Sequence, residues 1–384
     1  MPAEQVTGFD ARPPRDLVEA RFARVRAALA ERGFDGLLVT GAEAKGWLST
    51  FTSGLFIAPF GAIVLTQDSA TFVVTQIDYA ETLQRVQHMA VVTFDHEQTD
   101  QFERLAQAVG EAGISRLAIE AGQVSGADVA RYRAACERLG VAVEFIDPLI
   151  GPLRFTKDWW EIEQVRAAQE VNRLAFEGIL PQLVPGAREW DIAVELERLL
   201  RSNGAGSARM AFQPMVASGP NSTFAHASVT QRRLERGDLV LLDFGATWNG
   251  YCSDCSRTVV IGEANPEQRA LHAAVLAAQE AAIAAIRPGV TGAEVHAASA
   301  NVLKAAGYGA YLAHGLGHGV GLQLSDGPLV RPRSNDILRP GHIVTIEPGV
   351  YIPGLGGVRI EDNVLVTEAG HENLSTAPKQ LLEL

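Results

Sequence analysis

GDLVLLDFG (237–245) and GHIVTIEPG (341–349) follow one pattern: a glycine turn, an apolar run suited to a buried strand, an acid, and a closing glycine. Just downstream of each, GYCSD (250–254) aligns with GVRIE (357–361), and both end on an acid. Upstream, VPGAREWDIAVELERLLRSNGA (184–205) matches RPGVTGAEVHAASANVLKAAGY (287–308): a Pro-Gly turn, a helix and a glycine near its end. The offsets of 103, 104 and 107 residues drift only slightly. This part of the chain therefore reads as two related halves, each a helix followed by a hairpin.

The duplication puts four carboxylates at equivalent places. Asp243 and Glu347 end the first strand of each hairpin, and Asp254 and Glu361 lie on the returning strand. A pseudo-twofold relation between the halves makes all four converge. Burying even one uncompensated carboxylate is costly, and four together repel one another. Divalent cations supply the missing counter-charge without several buried Arg or Lys. The competing reading, solvated acids at strand ends, suits a single Asp but not four in register beside LVLL and IVTI.

Between the hairpins, HGLGHGVGL (314–322) sets His314 and His318 among glycines, which let the backbone approach a bound group. Histidine is the commonest nitrogen ligand for metals, so both are candidate ligands or substrate contacts. One histidine with four carboxylates makes an oxygen-dominated site. Carboxylates can bridge two ions about 3.5–4 Å apart, the spacing of two-metal hydrolases. The expected cofactor is a pair of divalent ions, Mn²⁺ foremost, with Co²⁺, Zn²⁺ or Fe²⁺ as alternatives.

The remainder of the 384-residue chain is long enough for a second domain. Residues 16–33 have helical apolar spacing that stops at Gly33; DGLLVTG (35–41), GAIVLT (61–66), ATFVVT (70–75) and RLAIEAG (116–122) read as strands, with a helix near 101–112. This alternation predicts an α/β domain over 1–152. A long amphipathic helix over 157–183 opens the second domain, 153–384. A net charge of −12 argues against nucleic-acid binding, which needs clustered Lys and Arg. The sequence has no run of eighteen apolar residues, and its opening stretch lacks an apolar signal core, so the expectation is a cytoplasmic protein without membrane partners. Cys252 and Cys255 have a C-x-x-C spacing, but there is no second pair to complete a tetrahedral zinc site, and the segment reads as strand. The histidines at 88, 96, 272, 296, 342 and 371 read as structural or solvated.

The order Asp243, Asp254, His318, Glu347, Glu361 resembles the pita-bread metallopeptidases, a group that includes prolidase (Xaa-Pro dipeptidase), aminopeptidase P and methionine aminopeptidase. The match is strong over 155–384 and weaker over the first 150 residues, where DGLLVTG and WLSTF resemble a creatinase-type N-terminal domain. The fold expected is thus α+β: a pita-bread catalytic domain with an internal pseudo-twofold, preceded by a smaller α/β domain. A leading domain of that size suits the proline-specific branch. The resemblance implies that the five residues bind metal and that Glu347 also takes the proton from the attacking water. It implies that His226, in VASGPNSTFAHAS (216–228), and His314 contact the substrate, His226 helping to stabilise the tetrahedral intermediate. Arg359 would support the site or the substrate's carboxylate end; a salt bridge to Asp362 or another acid is the plainer alternative.

In one place the sequence departs from the family pattern. After the glycine-rich segment the family has a His-Glu pair, whereas this chain has Ser325-Asp326. A histidine that meets the proline side of the substrate is therefore missing, and Lys45, ahead of WLSTF, is a candidate cation to compensate. The function expected is hydrolysis before proline in Xaa-Pro dipeptides, by a homodimer. The alternatives are an aminopeptidase P acting on longer Xaa-Pro peptides, a metal-free creatinase-type enzyme or metal-using lyase on this scaffold, and a pita-bread module that binds peptides without cleaving them.

Overall fold

Gly36–Val39 is buried at every position, as a strand covered on both faces must be. It pairs antiparallel with Gly61–Thr66 and parallel with Arg116–Glu120 at the centre of a six-stranded sheet. The computed structural model describes residues 11–52, 58–86, 88–95, 97–205 and 210–384; His96 lies outside the described residues. By contact pattern the chain forms two units, one ending at Arg154 and the other running over Phe155–Leu384. In the first, the sheet's outer strands are Ala90–Phe94 and Ala70–Thr75 on one side and Ala142–Ile146 on the other. Helices Gln101–Glu111 and Gly126–Glu137 add Leu105, Val109 and Tyr132 to the apolar layer on the sheet. Helix Arg15–Glu31 ends just before Gly33, whose φ of 70° is the left-handed geometry of a helix stop.

Lys45 is not the compensating cation. It lies in helix Ala42–Ser49, 7% exposed, and its ammonium donates to the carbonyls of Pro59 (2.9 Å) and Gly61 (3.0 Å). Burial lowers its pKa to about 8. The side chain ties its own domain together and has no reason to leave these acceptors.

The second unit opens with helix Trp159–Ile179, started by a capping box in which Asp158 and Glu161 satisfy each other's backbone N–H groups. Its two halves then repeat one another. Helix Glu189–Ser202 leads to an antiparallel sheet of Met215–Ser218, Leu239–Phe244 and Cys255–Val260. Helix Gly292–Ala305 leads to Gly317–Gly319, Ile343–Ile346 and Asp362–Val366 in the same arrangement, with Asp326–Val330 and His371–Asn373 added at the edges. Between the last two core strands each half folds out a two-stranded ribbon: Thr247–Trp248 with Tyr251–Cys252, and Gly349–Ile352 with Gly356–Arg359. Among the described residues no helix is long and apolar enough to cross a membrane.

The two returning strands lie side by side. The N–H of Glu361 donates to the Ser256 carbonyl (3.1 Å), and Arg359 and Thr258 bond each other through the Thr258 hydroxyl. Arg257 anchors this seam. It is 2% exposed and donates to the carbonyls of Ser256, Glu361, Ala377 and Pro378 and to the Asp362 carboxylate (2.8 Å). Asp362, fully buried, also receives Asn373 and Lys379. Removing the arginine strands a buried carboxylate and several carbonyls. Arg257→Met is expected to cost about 3–5 kcal/mol, read from the urea midpoint. A loss under about 1 kcal/mol contradicts this role for the seam.

Candidate metal centre

The four acids sit where each sheet hands over to its ribbon. Asp243 is the last residue but one of its strand, Glu347 follows Ile343–Ile346, and Asp254 and Glu361 fall in the breaks before Cys255–Val260 and Asp362–Val366. The two expected on the returning strands thus stand one residue ahead of them. Asp243 stays in the ladder, paired with Met215 and Ser256, while Asp254, Glu347 and Glu361 stand just outside it, free of the strict alternation of a regular strand.

Oxygens of Asp243, Asp254 and Glu361 lie within 4.8 Å of one another. His318 Nε2 is 3.8 Å from Asp254 and 3.7 Å from Glu347. His318 Nδ1 faces the Gly319 carbonyl at 3.1 Å and so carries the proton, leaving the Nε2 lone pair aimed at the acids. Burial lowers the His318 pKa, which keeps the ring neutral. All five residues line one cavity of about 470 Å³, together with His226, His314, Arg359, Ser325, Leu329 and Arg331 among others. That volume lies within the range of small-molecule sites.

The electrostatics are severe. Burial, followed by repulsion from Glu361 and Asp243, raises the Asp254 pKa well above the usual carboxylate value. Burial, then Glu347 and Asp243, does the same to Glu361. Burial raises Glu347 to about 7. Two carboxylate oxygens, Asp243 Oδ1 and Glu361 Oε1, are buried without a hydrogen-bond donor. Unpartnered oxygens facing neighbouring carboxylates fit divalent cations, for which these residues form an oxygen-rich donor set.

Arg359 is the cation built into the cluster. Its guanidinium reaches Asp243 Oδ2 at 2.5 Å, the Ser256 hydroxyl at 2.8 Å and the Tyr351 hydroxyl at 2.7 Å. Its ion pair is with Asp243; Asp362 is paired with Arg257 instead. The Ser256 hydroxyl in turn donates to Glu361 (2.8 Å). The Tyr351 hydroxyl donates to His314 Nε2 (2.9 Å), and His314 Nδ1 donates to the Gly315 carbonyl (2.7 Å). Burial lowers the His314 pKa to about 4, which keeps Nε2 free to accept. Both nitrogens of His314 are therefore engaged, and contact with a substrate would displace Tyr351. His226 is exposed at the cavity wall.

Sequence reasoning missed Tyr351, Ser256 and Thr345. The Thr345 hydroxyl accepts the His318 N–H (3.0 Å) and donates to Glu347 (3.3 Å). The period-two spacing of Thr345 and Glu347, and of Arg359 and Glu361, is the signal that could have found some of these partners. The glycines of HGLGHGVGL serve a different purpose from the one expected. A Cβ on Gly317 would strike the Thr345 carbonyl, and one on Gly319 the Gly327 carbonyl. They admit neighbouring strands rather than a ligand. Cys252 and Cys255 lie on different strands, both buried and neither in a disulfide, and burial raises the Cys255 thiol to about 12, which disfavours its thiolate.

These shifts have a sign that can be measured. An acid whose folded pKa is raised makes the fold less stable as pH climbs from its unfolded value toward its folded one. In metal-free protein, Asp254→Asn should therefore gain thermal stability over wild type as pH rises from about 5 to 7. With saturating divalent metal the order should reverse, because binding to the native state adds RT ln(1 + [L]/Kd) to wild type. A melting difference independent of both pH and metal contradicts the buried-charge account.

The profile of metallopeptidase family M24 matches residues 163–368, and that of the creatinase/prolidase N-terminal domain matches residues 21–155. An Xaa-Pro dipeptidase from Pyrococcus furiosus is 37% identical over 84% of this chain and 89% of its own length. The structure of an Xaa-Pro dipeptidase from Bacillus anthracis superposes with a TM-score of 0.89 at 32% identity, covering 96% of this chain and all of that one. An X-Pro aminopeptidase structure from Thermotoga maritima gives 0.85 at 31% identity, covering 94% and 99%. The fold is the pita-bread catalytic domain behind a creatinase-type N-terminal domain, and the chain belongs to metallopeptidase family M24.

Proposed function

We propose that this chain hydrolyses the peptide bond before proline, with Xaa-Pro dipeptides as its main substrates and two Mn²⁺ ions held by Asp243, Asp254, His318, Glu347 and Glu361. The observation that carries the reading is the convergence of Asp243, Asp254 and Glu361, with two oxygens lacking any donor, beside a neutral His318 nitrogen. Relatives and solved structures named as Xaa-Pro dipeptidases support the substrate class. The same family resemblance is the basis for expecting a cytoplasmic homodimer.

Divalent ions in such a site polarise a carbonyl and acidify water. The rest falls to the chain. Glu347, held by the Thr345 hydroxyl, takes the proton of the attacking water and returns it to the leaving proline nitrogen. His226 donates to the oxygen that becomes negative when the carbonyl carbon turns tetrahedral. Arg359 fixes Asp243 and, through Ser256, Glu361, so that the acids keep their places as charge moves. Tyr351 and His314 brace Arg359 from behind.

An aminopeptidase acting on longer Xaa-Pro peptides is the second reading, favoured by the likeness to the Thermotoga maritima X-Pro aminopeptidase. Assays of Ala-Pro and Ala-Pro-Ala, with and without added Mn²⁺ or Co²⁺, separate the two. Ala-Pro should be cleaved only with metal, and Asp254→Ala or Glu361→Ala should lose turnover. His226→Ala should lower kcat by about 10²–10³-fold, the usual effect of removing an oxyanion donor. Faster cleavage of Ala-Pro-Ala would hand the case to the aminopeptidase, and unchanged turnover in the acid variants would defeat the peptidase mechanism altogether.

A further inference from the structure

We infer that Glu189 is a positioning residue: its buried carboxylate closes the neck of the loop over 219–229 and so sets His226 at the metal centre. The inference rests on the Xaa-Pro peptidase reading above, in which His226 donates to the carbonyl oxygen, and names what holds that histidine in place.

The loop leaves strand Met215–Ser218 and returns at Thr230, beside the start of helix Glu189–Ser202. Both ends of it meet one side chain. Glu189 Oε1 accepts the Ser218 N–H and the Ser218 hydroxyl, each at 2.7 Å. Glu189 Oε2 accepts the Thr230 N–H (3.0 Å), the Thr230 hydroxyl (2.5 Å) and the Asn221 side-chain amide (2.9 Å). The Asn221 amide also donates to the Ser228 carbonyl (3.0 Å), which ties the two legs together inside the neck. The helix backbone adds to the clamp: the Glu189 N–H donates to the Arg232 carbonyl (3.0 Å), and the Trp190 N–H to the Thr230 carbonyl (3.2 Å).

Five donors converge on two oxygens, a set that suits an ionised carboxylate, which accepts at about four sites and donates at none. Glu189 is fully buried, and among the described residues no cation pairs with it directly. Arg232 stands one bond removed, donating to the Ser218 hydroxyl oxygen (2.8 Å). A buried acid is costly without donors, and here the loop supplies them, so acid and loop fix each other.

Apolar packing does not hold the loop by itself. Ala225 and Ala227 lie against Met215, Leu241 and Tyr351, but Phe224 is 63% exposed. Behind Ala227, Ser228 and Val229 lies a cavity of about 450 Å³, walled by Trp190 and Val194. On the other side the loop is registered against the second half of the domain. The Gly357 N–H donates to the Ser222 hydroxyl (2.9 Å), and Arg359 donates to the Ala225 carbonyl (3.0 Å). Ala225 is the neighbour of His226, and Arg359 is the cation of the acid cluster. Loosening the neck therefore displaces His226 while the acids keep their places, since the strand seam and Arg359 hold them.

The test is a double-mutant cycle with His226 in the metal-loaded enzyme. Glu189→Gln keeps the shape but turns an amide NH₂ toward donors, whichever oxygen it replaces. It should lower kcat for Ala-Pro by about 10- to 100-fold, the scale of an ångström-sized misplacement, with KM changed by less than about threefold. Glu189→Asp, which keeps the acceptors one methylene short, should recover part of that loss. In the His226→Ala background, Glu189→Gln should cost less than about threefold more, because the histidine it positions is gone. Without substrate, amide hydrogen exchange over 219–229 should speed up by about tenfold or more in Glu189→Gln, while the metal-dependent melting shift is retained. Losses that multiply in the double variant, an unchanged kcat, or a lost melting shift overturn the assignment. Should Glu189→Gln fail to fold, Asn221→Ala, which opens the neck but leaves the acid its other donors, decides by the same cycle. If wild type cleaves no Ala-Pro while exchange over 219–229 still rises in the variant, the Xaa-Pro reading falls and the clamp on the loop stands.

Discussion

The seam between the two returning strands governs this catalytic domain. Backbone and side-chain bonds across it hold Glu361 against Ser256 and Asp254 against Asn363. Arg257 closes the seam from the other side by bonding the Glu361 carbonyl and the Asp362 carboxylate. Once those contacts form, acid must face acid, and no rotamer choice disperses them. The backbone thus imposes an electrostatic problem that folding alone does not solve. Arg359 supplies one positive charge against four carboxylates, and the raised pKa values of Asp254, Glu347 and Glu361 express the charge it does not cover.

Much of this arrangement was legible because the sequence states it twice. A buried acid is ambiguous by itself, since strand ends often carry solvated Asp or Glu. The same acid recurring about 104 residues later, after an apolar run of the same shape, ties four side chains to one geometric relation. Four strands of the first domain's sheet were legible, but Ala90–Phe94, Ala142–Ile146 and helix Gly126–Glu137 were not, and neither was the strand order. Which strands pair is decided by contacts far apart in sequence, as in the parallel pairing of Gly36–Val39 with Arg116–Glu120.

The parts that escaped are those without a repeat or a period. Tyr351 and Ser256 occur once, in strands where hydroxyl side chains are unremarkable, and only packing brings them to Arg359. The glycines at 317 and 319 were legible as necessary but not in their purpose, because whether a glycine admits a ligand or a neighbouring strand depends on what stands opposite. Lys45 shows the opposite error. A lysine just ahead of WLSTF looks available from sequence, yet two carbonyls of its own domain hold it.

The duplication is faithful in its acids and unfaithful in nearly everything else, and that asymmetry is what makes a directional site. In the alignment of GYCSD with GVRIE, Cys252 occupies the place of Arg359, so the built-in counter-charge exists in one half only. Met215–Ser218, the counterpart of Gly317–Gly319, carries neither histidine nor acid, so His318 is also unpaired by the repeat. The first half gives the cavity Asp243, Asp254, His226 and Phe212; the second gives it the remaining walls, including Leu329, Arg331 and Ser325. A symmetric pair of hairpins would bind cations and treat both ends of a peptide alike. Placing the ring nitrogen of His318 and the guanidinium of Arg359 in one half gives the two sides of the cavity different chemistry.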